Sequence, residues 1–329
     1  MGIRIISTGR YLPSTLATNE DFTRFVDTSD EWITTRTGIK VRRVETELLT
    51  WQMGAKAGKM AMERAGIRPE EIDLVIGTSV SADYLTPSIA CLVANELGLT
   101  NPACFDINCA CAGFVAAVDM AEHYLKDGSR KTALIVSTEM LTKITDYTDR
   151  STCVLFGDGA GAAILQYSDS LYVCDMGSEP SGVGHLFARC VPPNNQFRKE
   201  PFDWGMDGFA PSNGHALYQD GRDVYKWATR AMPNAVKAAC EKVGMPPEEL
   251  KWVFPHQANL RIIETAAKNL GLPMERFYLN IQDHGNMSSA CIPVCLSEAE
   301  EKGLLHKGDK ICIVGFGGGL VYAACILEW

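Results

Sequence analysis

Cys111 lies in the run Phe105-Asp106-Ile107-Asn108-Cys109-Ala110-Cys111-Ala112-Gly113-Phe114, where the pattern predicts a short strand running into a helix. From Ala112 to Leu125 the apolar residues Phe114, Val118, Ala121 and Leu125 recur close to helical spacing, and Gly128 follows as a stop signal. A thiol at a helix N-terminus sits at the positive end of the dipole, which favours the nucleophilic thiolate. A buried structural thiol is the alternative for any Cys. The small neighbours Ala110, Ala112 and Gly113 leave room for a substrate.

Further candidates sit at other strand ends. Trp252-Val253-Phe254 predicts a strand leading into Pro255-His256-Gln257-Ala258-Asn259, so His256 stands just past a strand C-terminus and opens a helix predicted over 260–270. Ligands gather at such ends in α/β sheets; the alternative is a His that only hydrogen-bonds at a helix entry. A strand predicted over 277–281 ends in Gln282-Asp283-His284-Gly285-Asn286, where the Gly can make a tight turn that aims the Asn286 amide into a cavity. An ordinary Asn-bearing turn is the alternative. His284 is a rival base, with Asp283 placed to orient it. Phe316-Gly317-Gly318-Gly319 presents bare backbone N–H groups that suit an oxyanion. Its counterpart, Gly157-Asp158-Gly159, also lacks the Lys of a phosphate-binding loop.

The elements that must hold these residues repeat. Gly66-Ile67-Arg68-Pro69-Glu70-Glu71-Ile72-Asp73-Leu74-Val75-Ile76 is echoed by Gly244-Met245-Pro246-Pro247-Glu248-Glu249-Leu250-Lys251-Trp252-Val253-Phe254. Each follows a helical pattern (55–65 and 224–243) and reads as a turn, a short acidic helical piece and an apolar strand. A second echo, Val154 to Leu165 against Val314 to Ala324, reads in both copies as strand, glycine turn, strand. Two related halves, 1–170 and 171–329, are therefore expected, with the break near 168–175. Helical patterns alternate with short apolar runs, which predicts an α/β layered fold. The stretch from Ser178 to Gly221 is rich in Gly, Pro and Asn and reads as an irregular excursion beside a site.

The 329 residues are 46% hydrophobic and 22% charged, the composition of a soluble globular protein. No apolar run approaches a membrane span, and Met1-Gly2-Ile3-Arg4-Ile5-Ile6 does not read as a signal peptide. The 12 Cys form no framework and include no C-x-x-C pair, so no metal site and a reducing cytoplasm are expected. A net charge of -9 argues against nucleic-acid binding, though an acidic protein partner could still meet a local basic patch.

Several motifs together resemble the 3-oxoacyl-(acyl-carrier-protein) synthase III family of thiolase-fold condensing enzymes. They are Thr28-Ser29-Asp30-Glu31-Trp32-Ile33-Thr34-Thr35-Arg36-Thr37-Gly38-Ile39, the ACAGF run from Ala110, Thr148-Asp149-Arg150 and Phe156-Gly157-Asp158-Gly159-Ala160-Gly161. PHQANLRI from Pro255, HGN from His284 and FGGG from Phe316 complete the set in the family's order. The resemblance implies an α-β-α-β-α thiolase-like fold of duplicated halves and a homodimer. It implies an acyl-Cys111 intermediate, with His256 and Asn286 as hydrogen-bond donors to the enolate of a malonyl-acyl carrier protein. It also implies an oxyanion hole from the N–H groups of Cys111 and Gly318, and no metal or redox cofactor.

For an acyl-coenzyme A donor, the resemblance implies that Trp32 and Arg150 sandwich the adenine and that Arg36 meets phosphate. Thr28, Gly221 and Asn259 would follow the pantetheine. Gln219 would lie on the acyl site, Phe156 would join the substrate-binding residues, and Thr86 would cap the partner subunit's acyl pocket. Arg261, Lys268, Lys226 and Arg230 lie near the expected mouth and would dock the acidic carrier protein.

Gln219 stands where the family usually has Met, Met287 replaces a common Thr, Cys291 a common Ser, and Val321-Tyr322 a frequent Thr-Trp. These differences bear on the acyl donor. Other readings are a related condensing enzyme of secondary metabolism and a silent acyl-thioester-binding protein. A thiolase-like degradative enzyme would need a second Cys in the last glycine loop, which has none.

Overall fold

The computed structural model describes residues 2–189, 197 and 217–329, so most of the expected excursion over 178–221 lies outside the described residues. The first half of the chain runs β1 (Gly2–Tyr11), β2 (Thr15–Thr18), α1 (Asp30–Thr37), β3 (Val41–Val44), α2 (Thr50–Ala65), β4 (Leu74–Thr78) and α3 (Ile89–Glu96). It continues through β5 (Ala103–Ile107), α4 (Gly113–Lys126), β6 (Thr132–Met140) and β7 (Asp158–Ser168). The second half runs β8 (Tyr172–Ser178), β9 (Leu186–Ala188), β10 (Leu217–Gln219), α5 (Gly221–Lys242), β11 (Trp252–Pro255) and α6 (Leu260–Leu270). It ends with α7 (Ile281–His284), α8 (Cys291–Glu301), β12 (Lys310–Gly317) and β13 (Val321–Glu328).

Two sheets dominate, ordered β1-β7-β6-β4-β5 and β11-β12-β13-β8. Read from the other side, the second repeats the first: β8, β13, β12 and β11 take the places of β1, β7, β6 and β4, with matching parallel and antiparallel pairings. The duplication in the sequence is thus a duplication of sheet topology.

Side-chain alternation along the strands builds the layers. On β12, Ile311 and Ile313 face a central core with Phe114 and Val118 of α4 and Ile292 and Leu296 of α8. Cys312 and Val314 face the opposite way, towards Trp227 of α5 and Ile263 of α6. The outer face of the first sheet, with Val75 and Val136, is covered by α2 and α3. The result is the expected α-β-α-β-α stack. Helix α4 carries buried residues without a break from Gly113 to Val118 because both of its sides meet a sheet. Among the described residues no helix is long and apolar enough to cross a membrane.

Two expectations need correction. The strand predicted over 277–281 is reduced to a single bridge, Phe277 to Val253. The buried Gln257 side chain takes over the ladder, donating to the Tyr278 carbonyl at 3.1 Å and accepting from Asn280 N–H at 3.2 Å. The stretch from Val154 to Leu165 is not strand, turn, strand: β7 begins only at Asp158, and Gly159 and Gly161 lie inside it. Gly161 is a packing glycine, since a Cβ there would come within 2.7 Å of Pro293 on α8. Gly161→Val should therefore lower stability by about 1–3 kcal/mol through overpacking, read from the midpoint of denaturant unfolding. An unchanged midpoint would contradict this contact.

Candidate functional site

The glycine end of β12 and the turn before α4 press together. Cβ atoms added at Gly315 and Gly317 would meet Ala112 Cα at 2.9 Å and the Cys111 amide N at 2.6 Å. Only bare backbone lets the second half come so close to the Cys111 turn. That turn is strained: Ala110 has φ +44°, and its N–H donates to Asn108 Oδ1 at 3.1 Å.

His256 follows β11, and its backbone N–H donates to the Val314 carbonyl at 2.8 Å, which extends the β11–β12 pairing by one bond. The ring is buried and packs edge-on to Phe316 at 5.3 Å. Its Nδ1 has no hydrogen-bond partner. Asn286 bridges to Phe156, its N–H donating to Leu155 O at 2.9 Å and its carbonyl accepting from Gly157 N–H at 3.0 Å. The preceding Gly285 has φ +68°, which makes the tight turn. Asn286 Oδ1 accepts from Ser288 N–H at 2.8 Å, so the NH2 end of the amide is the end left to donate.

One cavity of about 840 Å³ is lined by Cys111, His256 and Asn286. Phe156, Gln219, Gly221, Asn259, Gly318 and Arg36 also line it. Trp32, Lys226 and Arg261 stand on its wall as well. Asn259 caps α6, accepting from Arg261 N–H at 2.9 Å, and its Nδ2 donates to the Arg36 carbonyl at 3.1 Å. Arg150 is not on the wall: its guanidinium lies 4.8 Å over the Trp32 ring and donates to the Asp27 carbonyl. Arg36 covers the same ring at 5.0 Å. A base entering between Trp32 and Arg150 would have to part them.

Thr28, Thr86, Arg230 and Lys268 are likewise not on this wall. The Thr28 hydroxyl is buried without a partner. Thr86 is exposed beside the exposed side chains of Tyr84 and Leu85. Lys268 and Arg230 are exposed on the neighbouring helices α6 and α5.

The electrostatics overturn one expectation. The Cys111 thiol is not poised as thiolate; burial pushes it up to about 12, with Glu139 adding to the rise and the Ser288 hydroxyl opposing it. A helix terminus contributes too little to offset removal of the thiolate from water. Burial likewise pushes His256 down to about 3, so the imidazole is neutral. The free site is therefore a neutral thiol beside a neutral imidazole. His284 is not a rival on the wall: it pairs with Glu298 at 2.7 Å, not with Asp283, and its Nδ1 is buried without a partner. Glu298 also accepts from Tyr278 and Asn280.

The sequence reading missed two residues. Ser288 has φ +47° and lines the cavity, a conformation no residue type announces. Glu139 is fully buried near the thiol and accepts from Ser79, Val80, Ser81 and Ser289, tying the ends of β4 and β6 to the loop after Asn286. Its sequence signal is slight, an acid at the polar end of a strand whose middle, Ala133 to Val136, is apolar.

Comparison with known proteins bears on this geometry. Family models described as 3-oxoacyl-(acyl-carrier-protein) synthase III and its C-terminal region match residues 105–179 and 240–329. A beta-ketoacyl-(acyl-carrier-protein) synthase III of Clostridium acetobutylicum is 46% identical, over 99% of this chain and 98% of its own. The crystal structure of the 3-oxoacyl-(acyl-carrier-protein) synthase III of Aquifex aeolicus is 40% identical with a TM-score of 0.90, covering 100% of both chains. The priming beta-ketosynthase of the R1128 polyketide pathway is 35% identical with a TM-score of 0.89, over 99% of this chain and 96% of its own.

Two measurements check the electrostatics. Alkylation of Cys111 by iodoacetamide, followed by peptide mass spectrometry, should rise about tenfold per pH unit through pH 9 without levelling; a plateau near pH 7 would restore the thiolate. His256, with a folded pKa below its ordinary 6.5, leaves the unfolded state binding more protons as pH falls, so its contribution to stability is whole above that value and declines below it. Asp158, raised to about 6, works oppositely in the same window, so the readout is a difference. Between pH 6.5 and 5 the unfolding free energy of wild type should drop by up to about 1.4 kcal/mol per pH unit more than that of His256→Gln.

Proposed function

This chain belongs to the 3-oxoacyl-(acyl-carrier-protein) synthase III family of condensing acyltransferases, and we propose that it joins an acyl group from acyl-coenzyme A to malonyl-acyl carrier protein through an acyl-Cys111 intermediate. The observation that carries this reading is the single cavity shared by Cys111, His256 and Asn286. The Cys111 sulfur attacks the thioester carbonyl, coenzyme A leaves as the thiolate, and the sulfhydryl proton ends on it. Neutral His256 has one ring nitrogen able to accept and one able to donate, which suits both passage of that proton and donation to an oxygen. Malonyl thioester then loses carbon dioxide, and its enolate oxygen is held by N–H groups of His256 and Asn286. The enolate carbon attacks the acyl-Cys111 carbonyl, whose oxygen meets the N–H groups of Cys111 and Gly318. Collapse expels the Cys111 thiolate, which regains a proton from solvent, and leaves 3-oxoacyl-carrier protein. No metal or redox step is required.

We place the coenzyme A along Trp32, Arg36, Gly221 and Asn259, with Arg150 swinging off the indole to close over the adenine and Thr28 beside the pantetheine path. Phe156 and Gln219 border the acyl group. The polar amide of Gln219 favours a short or polar acyl group over a long alkyl chain. We propose a cytoplasmic homodimer in which the exposed Tyr84-Leu85-Thr86 tip covers the partner's acyl pocket. The halves divide at 170/171, between the last strand of the first sheet and the first of the second. For the acidic carrier protein, Arg261 and Lys226 sit at the cavity mouth, while Lys268 and Arg230 lie on the open helix faces beside it. Arg261 also donates to the Thr35 carbonyl, so the cleaner variant is Lys268→Glu. It should raise KM for malonyl-acyl carrier protein several-fold and spare Cys111 acylation by acyl-coenzyme A; equal loss of both would remove the docking role.

A second reading, priming of a polyketide rather than of a fatty acid, is favoured by the similarity to the R1128 ketosynthase. Intact-mass trapping across short, branched, polar and long acyl-coenzyme A donors tests both. Wild type should gain one acyl group and Cys111→Ala none. Acylation of Cys111→Ala to the same extent would overturn the assignment of the nucleophile.

A further inference from the structure

Far from the Cys111 turn, three elements bring soft and hard metal-ligating groups together. Cys174 on β8 and Cys325 on β13 are direct cross-strand partners, and both face the central helical layer rather than α5 and α6. Asp119 of α4 meets them there. A carboxylate oxygen of Asp119 and the sulfurs of Cys174 and Cys325 all lie within 4.8 Å of one another. Tyr172 completes the group: its hydroxyl donates to Asp119 Oδ1 at 2.9 Å and lies 3.4 Å from Cys325 Sγ.

We propose that Asp119, Cys174 and Cys325 form a structural binding site for a thiophilic divalent cation of the zinc class. Two thiolates and a carboxylate, with water as fourth ligand, are a donor set that zinc accepts in tetrahedral geometry. Bonds of about 2.3 Å to sulfur place two thiolates ~3.8 Å apart, so the two sulfurs need close in by no more than about 1 Å. The Tyr172 hydroxyl orients the carboxylate from the second layer, the place such partners hold in zinc sites. Cys325 is buried, whereas Asp119 and Cys174 are partly exposed, so an ion has a route from solvent. The nearby cation, Lys242, is engaged by Asp175 at 2.9 Å and by the Cys174 carbonyl. Burial holds the Cys325 thiol well above its ordinary range; binding reverses this, because a coordinated thiol is deprotonated. The balance is one zinc ion bound and two thiol protons released. The bound ion would pin the edge strand β8 to the helix whose N-terminal side carries Cys111.

The test uses full-length protein kept reduced with a phosphine and stripped of metal by a chelator. Zinc uptake is measured by equilibrium dialysis and elemental analysis, and cobalt(II) serves as a spectroscopic probe. Wild type should hold one zinc that Cys174→Ser lacks, show a near-ultraviolet sulfur-to-cobalt band that Cys174→Ser also lacks, and release about two protons per zinc. Tyr172→Phe, which keeps the shape of the ring, should retain the site with about 10- to 100-fold weaker affinity. Zinc should raise the melting temperature of wild type but not of Cys174→Ser, while both retain acylation of Cys111 by acyl-coenzyme A. Equal zinc uptake by wild type and Cys174→Ser, no uptake by wild type, or a cobalt spectrum without the sulfur band would overturn the proposal.

Discussion

The site depends on one close approach, that of the glycine end of β12 to the Cys111 turn. At Gly317 there is no space for even one methyl group before it strikes the Cys111 amide. The consequence is geometric. The same strand that touches the Cys111 turn holds the His256 backbone through Val314 and packs Phe316 against the imidazole. The Cys111 turn and the His256 imidazole are thereby referenced to one rigid strand rather than to separate loops. This is the positioning that acyl transfer between large thioesters requires.

The electrostatics follow from the same packing. A neutral thiol and a neutral imidazole cost less to bury than a thiolate–imidazolium pair. Burial therefore favours the uncharged pair, pushing the Cys111 thiol up and the His256 imidazole down. Glu139 is a carboxylate buried alongside, and its acceptance of hydroxyl and amide donors from several segments keeps it satisfied.

The sequence carried the strand ends at Cys111 and His256 well, since β5 and β11 form where the apolar runs place them. At Asn286 the strand does not form, but the turn made by Gly285 does. The paired turns Pro69–Glu71 and Pro247–Glu249 were readable for the same reason. Features set by distant contacts were not readable. The stretch over 277–281 is β-rich in composition, yet Gln257 replaces most of its ladder. Gly161 looked like a turn glycine because the helix it accommodates comes from the other half of the chain. At Cys111 the dipole direction is local and legible, whereas the burial that pushes the thiol up is a property of the whole fold. The Asp119, Cys174 and Cys325 cluster has no spacing to notice, since each ligand comes from a different element.

The matching strand orders of the two sheets have a bearing on how change is tolerated. Helices α4 and α8 occupy corresponding stations, each entered from a short turn, and one entry bears the sulfur while the other follows the Asn286 loop. Related architecture thus carries unlike side chains on its two sides, Cys111 in the first half and His256 and Asn286 in the second. Neither copy duplicates what its twin brings to the shared cavity, so the repetition of architecture confers no redundancy there.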